Sequence, residues 1–131
     1  MNQAKSNQNL LTNSSANYKI IPTTIFMSQA KKLAKKYSLI KDDFAALAKQ
    51  LKKDPTTGND SLGKDCYKVR MQITGKQSGQ SGAARVIIEV KVIEKKVYIL
   101  SVYDKSDKGT IFDEELKKAL KARLKDYPDL C

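Results

Sequence analysis

The sequence predicts an α+β domain of two layers: an antiparallel β-sheet with two N-terminal helices packed on it and a C-terminal helix, in the order βααβββα. Three observations lead there. Two segments between Ile25 and Lys53 carry apolar residues at helical spacing. Three segments between Cys66 and Tyr103 are rich in β-branched and aromatic residues and are joined by hairpin-like connections. A last helical pattern opens at Asp113. With 131 residues, 40% of them apolar, the chain suffices for one domain around one core.

Residues 1–16 are rich in Asn, Gln and Ser without periodicity and read as a disordered leader, with the domain at 17–126 and a tail at 127–131. Tyr18-Lys19-Ile20-Ile21 forms a short strand that Pro22 ends. Phe26, Ala30, Leu33, Ala34 and Tyr37 then mark one helix face, with Lys31, Lys32, Lys35 and Lys36 opposite. A second helix over residues 39–53 carries Ile40, Phe44, Leu47 and Leu51 on its stripe, and Asp42 and Asp43 suit its N-terminal dipole. Residues 54–60 are turn formers. Strands are expected at 66–74, 85–93 and 97–103, the first pair joined by a mobile Gln-Ser-Gly loop and the second by a tight turn at Glu94-Lys95-Lys96. In the last helix Leu116, Leu120 and Leu124 form the stripe, which ends before Pro128.

Composition narrows the chemistry. The chain has no histidine, so acid/base work falls to Lys, Arg, Tyr, Asp or Glu, and its two cysteines complete neither a disulfide framework nor an ordinary zinc site. No apolar run approaches a membrane span, which predicts a soluble, cytoplasmic protein with no membrane partner. Net charge is +11, and residues 1–53 hold ten cations against two acids. Such a balance favours polyanions, although lysine-rich helix faces often serve only solubility.

The most informative segment is Cys66-Tyr67-Lys68-Val69-Arg70-Met71. Period two puts Lys68 and Arg70 on one strand face and Tyr67, Val69, Met71 and Ile73 on the other. Arginine is scarce, three residues against 22 lysines, yet Arg70 and Arg85 flank one loop, and arginine is the bidentate phosphate ligand. On the last strand, Leu100 and Val102 are expected to share the helix-facing side. That leaves Tyr103 and Lys105 outward beside Lys68, Arg70 and Arg85, a cationic basin with one tyrosine for base stacking or hydrogen-bond donation.

These residues have a familiar order. Cys66-Tyr67-Lys68-Val69-Arg70, then Arg85-Val86-Ile87, then Leu100-Ser101-Val102-Tyr103-Asp104-Lys105-Ser106 resemble the RelE/ParE toxin superfamily, particularly its RelE and HigB-like branch. The resemblance covers roughly Tyr18 to Leu124. It implies the toxin of a type II toxin-antitoxin pair, a ribosome-dependent endoribonuclease that cuts messenger RNA without metal or cofactor. It also implies a cognate antitoxin, expected to be a small helix-turn-helix protein.

Carried over by position, the resemblance makes Lys68, Arg70, Arg85, Lys105 and Tyr103 the catalytic set. Lys76, Gln80, Ser81 and Lys91 are expected to bind RNA. Two positions depart from the pattern: Gln80 stands where HigB-like relatives often carry a lysine, and no tyrosine matches near Ile111 and Phe112. Two alternatives remain open. One is a ParE-like gyrase inhibitor, and the other an inactive module that binds RNA or antitoxin.

Overall fold

The computed structural model describes residues 17–76, 82–106 and 113–129. The predicted leader, most of the Gln-Ser-Gly loop with Gln80 and Ser81, and the end of the tail lie outside them. The elements run β1 (Lys19–Pro22), α1 (Thr24–Lys36), α2 (Ile40–Lys53), β2 (Asp60–Gly63), β3 (Cys66–Gln72), β4 (Ala83–Lys91), β5 (Lys96–Asp104) and α3 (Asp113–Asp126). This is the expected α+β order with one extra strand. Strand β2 has the composition of a turn, Asp-Ser-Leu-Gly, and pairs with β3 where Asp60 meets Lys68. Only tertiary pairing makes such a segment a strand.

The sheet order is β1-β5-β4-β3-β2. Strands β2 to β5 are antiparallel, while β1 joins β5 in parallel, its return made through the two helices. Past Pro22 the edge of β5 is no longer paired with β1, and α1 takes over: Val102 N–H donates to Gln29 Oε1 at 2.8 Å. Thr23 makes the junction, its hydroxyl donating to the Ile99 carbonyl at 2.8 Å.

Apolar side chains fill both faces of the central strands. On one face Phe26 of α1 and Ile40, Leu47 and Leu51 of α2 pack on Val69, Met71, Val86, Ile88 and Val102. On the other, Leu116 and Ala119 of α3 pack on Cys66, Ile87, Tyr98, Leu100 and Tyr103. Strand β4 is consequently buried along nearly its whole length.

Two sequence expectations are corrected. Leu100 and Val102 do not share a face. A register shift between Ile87 and Ile88 inserts one extra residue into β5 there, so Leu100 turns to α3 while Val102 stays under α1 and α2. The buried residues of α3 are Leu116, Ala119 and Arg123, with Leu120 half-buried and Leu124 exposed. Rotation of the stripe follows from Arg123, whose Nε and Nη2 donate to the two oxygens of Glu89 at 2.7 and 2.9 Å. Its guanidinium also stacks 4.5 Å from the Tyr98 ring centre.

Candidate nucleic-acid interface

Sheet register assembles the site. Arg70 on β3 lies opposite Arg85 on β4, and Arg85 lies opposite Tyr103 on β5. The three therefore form one row across three strands, spanning about 10 Å at the usual strand spacing. Lys68 stands two residues from Arg70 on the same face, in the next row with Ile87 and Ser101. Exposure falls along the row: Arg70 is open to solvent, whereas Arg85 is 9% and Tyr103 8% exposed. The row opens to solvent on its Arg70 side, because Tyr103 is packed in the cluster that α3 covers. Tyr103 is thus less outward than the sequence predicts.

Arg85 Nη1 has a long 3.4 Å bond to the Ala84 carbonyl, and Lys68 pairs with the exposed Asp60 at 3.9 Å. Solvent weakens that pair, leaving Lys68 free to exchange it for a phosphate. Two arginines facing each other across a ladder repel, and a bidentate anion between them relieves that cost.

The other predicted site residues are distributed differently. Lys105 follows β5, its backbone N–H bound to the Ala83 carbonyl at 3.1 Å. Lys76 reaches Asp104, with Nζ 3.1 and 3.2 Å from its oxygens and 5.4 Å from the Tyr37 ring centre. Lys91 pairs with Glu89 at 3.8 Å, six residues along β4 from Arg85, or about 20 Å away. Gln80 and Ser81 lie outside the described residues.

Sequence reasoning gave Asp104 no role. Its carboxylate is 1% exposed and sits on the face under α1 and α2. It accepts the Tyr37 hydroxyl at 2.6 Å, Lys76 Nζ, and the Ser106 backbone N–H and hydroxyl at 3.0 and 2.8 Å. Burial opposes the charge, but the bonds from Tyr37, Ser106 and Lys76 together outweigh it and hold the carboxyl well below its ordinary range. The same hydrogen bond raises the Lys76 ammonium. Asp104 thereby ties the end of α1 and the starts of two loops to the strand that carries Tyr103. A usable signal was present: alternation from Tyr103 puts Asp104 on the core side, where a carboxylate requires partners.

The sequence matches, over residues 18–130, the model of the family described as the RelE toxin of the RelE/RelB toxin-antitoxin system. The chain belongs to the RelE toxin family. Among solved structures, E. coli toxin RelE in the free state, carrying two arginine-to-alanine substitutions, is similar with a TM-score of 0.53. It is 19% identical, and the match covers 80% of this chain and 96% of that one. At that identity the likeness carries the RelE fold alone. No sequence among the curated proteins matches. As a RelE-family toxin, the chain has an antitoxin as its implied partner. Among the described residues of this RelE-family chain, no helix is long and apolar enough to cross a membrane.

Proposed function

We propose that this toxin cleaves messenger RNA at the ribosome by turning the ribose 2′-hydroxyl against the neighbouring phosphate. The 2′-oxygen bonds to phosphorus and gives up its proton. The bond to the 5′-oxygen breaks and that oxygen takes a proton, leaving a cyclic phosphate and a 5′-hydroxyl. Without histidine, these transfers fall to other titratable side chains, and lysine is the one the row offers. Lys68 serves as base or stabilises the 2′-alkoxide, Arg70 and Arg85 neutralise the crowded phosphorane, and Lys105 protonates the leaving oxygen, since the Tyr103 hydroxyl is buried.

The observation that carries the reading is the Arg70–Arg85–Tyr103 row, which groups two arginines beside Lys68 on one face of the sheet. Induced expression followed by primer extension on a translated message tests it. Codon-phased cuts that disappear in Arg85→Ala support the nuclease. Growth arrest with intact messages and broken DNA overturns it in favour of a gyrase inhibitor.

A further inference from the structure

The end of the sheet away from the arginine row carries a second cationic row. Lys19 on β1 lies opposite Lys96 on β5, and Lys96 lies opposite Lys91 on β4. Alternation from Ile21, Tyr98 and Glu89, which belong to the face that α3 covers, puts the three lysines on that same face. The row is about 10 Å wide at the usual strand spacing. Its counter-charge is thin. Lys91 and Lys96 have Glu89 and Glu94 at 3.8 and 3.7 Å, but Glu89 is already held bidentately by Arg123, and Glu94 is 43% exposed in the tight turn. Like charges directly opposed across a ladder cost stability, as the arginine pair does, and an anion relieves that cost.

Beside the row is a cavity of about 460 Å³, lined by Lys19, Lys96 and Tyr98 from the strands and by Asp126, Tyr127 and Pro128 where α3 ends. Tyr127 is 38% exposed yet firmly held. Its N–H donates to the Arg123 carbonyl at 2.7 Å, its carbonyl accepts Arg123 Nη1 at 3.0 Å, and its ring centre lies 5.7 Å from that of Tyr98. A fixed aromatic open to solvent is a stacking platform. Asp126, fixed by the Thr24 N–H and hydroxyl at 3.2 and 2.7 Å, puts an acceptor at this end, opposite the cations. We propose that the cavity binds a nucleotide, its base stacked on Tyr127 with an exocyclic amino group toward Asp126, and its phosphates on Lys19, Lys96 and Lys91. Lysine, a point charge on a flexible stem, suits a phosphate chain held in no single register. An acidic peptide satisfies the lysines but meets Asp126 and leaves Tyr127 unused. The ligand has two possible sources, a free nucleoside triphosphate or one nucleotide of an RNA strand. Lys91 lies about 20 Å along β4 from Arg85, so a mononucleotide here leaves the arginine row untouched, and the proposal stands apart from the nuclease reading.

Isothermal titration calorimetry on the full chain tests it with ATP, adenosine, inorganic tripolyphosphate and a short oligoadenylate. ATP is expected to bind more tightly than adenosine or tripolyphosphate, each of which lacks one half of the contacts. Tyr127→Ala should weaken ATP about tenfold and leave tripolyphosphate unchanged, whereas Tyr127→Phe keeps the ring and should bind ATP like the parent. Lys96→Glu should weaken ATP and tripolyphosphate alike, about tenfold or more, and flatten the salt dependence of both, with unchanged circular dichroism. Arg70→Ala should leave ATP binding intact. In that Arg70→Ala chain, oligoadenylate binding that is tighter than ATP and sensitive to Tyr127→Ala assigns the site to RNA, and tighter ATP assigns it to a free nucleotide; both support the site. No binding of ATP or oligoadenylate, tripolyphosphate binding as tight as ATP with no effect of Tyr127→Ala, or ATP binding lost in Arg70→Ala and kept in Lys96→Glu overturns the proposal.

Discussion

Arg70 and Arg85 face each other across the β3–β4 ladder, two guanidiniums in directly opposed positions. Like charges so placed cost roughly 0.2–1 kcal/mol relative to neutral pairs. The apolar packing on the opposite face comes from Val69 and Met71 on one strand and Val86 on the other. The placement makes sense if the pair serves a ligand, and it sets function against stability.

Arg70→Gln is therefore expected to leave the fold as stable as before or about 0.2–1 kcal/mol more stable in urea denaturation. It should lose RNA cleavage in the same preparation. A substantial loss of stability would show that Arg70 is held by the fold rather than kept for a substrate.

The bond between Arg123 and Glu89 behaves in the opposite way. Both side chains are buried, at 2% and 6% exposure, and the geometry is bidentate. Burial opposes the guanidinium's charge, but hydrogen bonds to Glu89 and Asp129 prevail and raise its pKa. Removing one partner strands the other charge, so Arg123→Met should cost about 3–5 kcal/mol. Adding Glu89→Leu should recover much of that loss. A double-mutant cycle by urea denaturation measures the coupling, and additive losses would mean that the two residues act independently.

Acid should weaken the fold through Asp104. A carboxyl whose folded pKa lies below its unfolded one contributes stability above the unfolded value, ordinarily 3.8, and loses it as pH falls toward the folded value. Asp104→Asn is thus expected to be less stable than the parent at pH 7, with the difference shrinking below about pH 4. Tyr37→Phe removes one hydrogen bond to the charged group and should cost about 1.5–3 kcal/mol at pH 7. Melting temperatures measured from pH 7 down to pH 2 check both.

Much of this architecture could be read from the chain. The α1 and α2 stripes, the β3 alternation and the grouping of Arg70 with Arg85 follow from periodicity, because one side chain in two or in 3.6 must face the core. Strand β2 was hidden, since Asp60-Ser61-Leu62-Gly63 has turn composition and is a strand only because β3 offers an edge. Leu100 was misplaced because one extra residue in β5 reverses the alternation, and no local composition announces a bulge. Arg123 escaped notice for a related reason: a polar residue on an α3 stripe reads as solvent-facing until its partner, Glu89 on β4, is known. Both members of that pair looked out of place alone, a buried-strand glutamate and a helix arginine, and only the register joins them.

Cys66 gives the last prediction. Its side chain is fully buried beside Ile87 and Leu116, and burial, helped by the negative charges of Glu89 and Asp65, pushes the thiol up to about 12. Thiolate is the reactive form, so at pH 8 the folded chain should hold Cys66 inert. With Cys131→Ser as background, a thiol-reactive chromophore should label Cys66 only as fast as the fold opens. Adding Arg123→Met loosens the α3 side of the same cluster and should speed labelling by the factor that its loss of stability dictates, about 100-fold for 3 kcal/mol when opening is fast. Rapid labelling of the parent at pH 8 would place Cys66 at the surface and contradict the packing of α3 over this face.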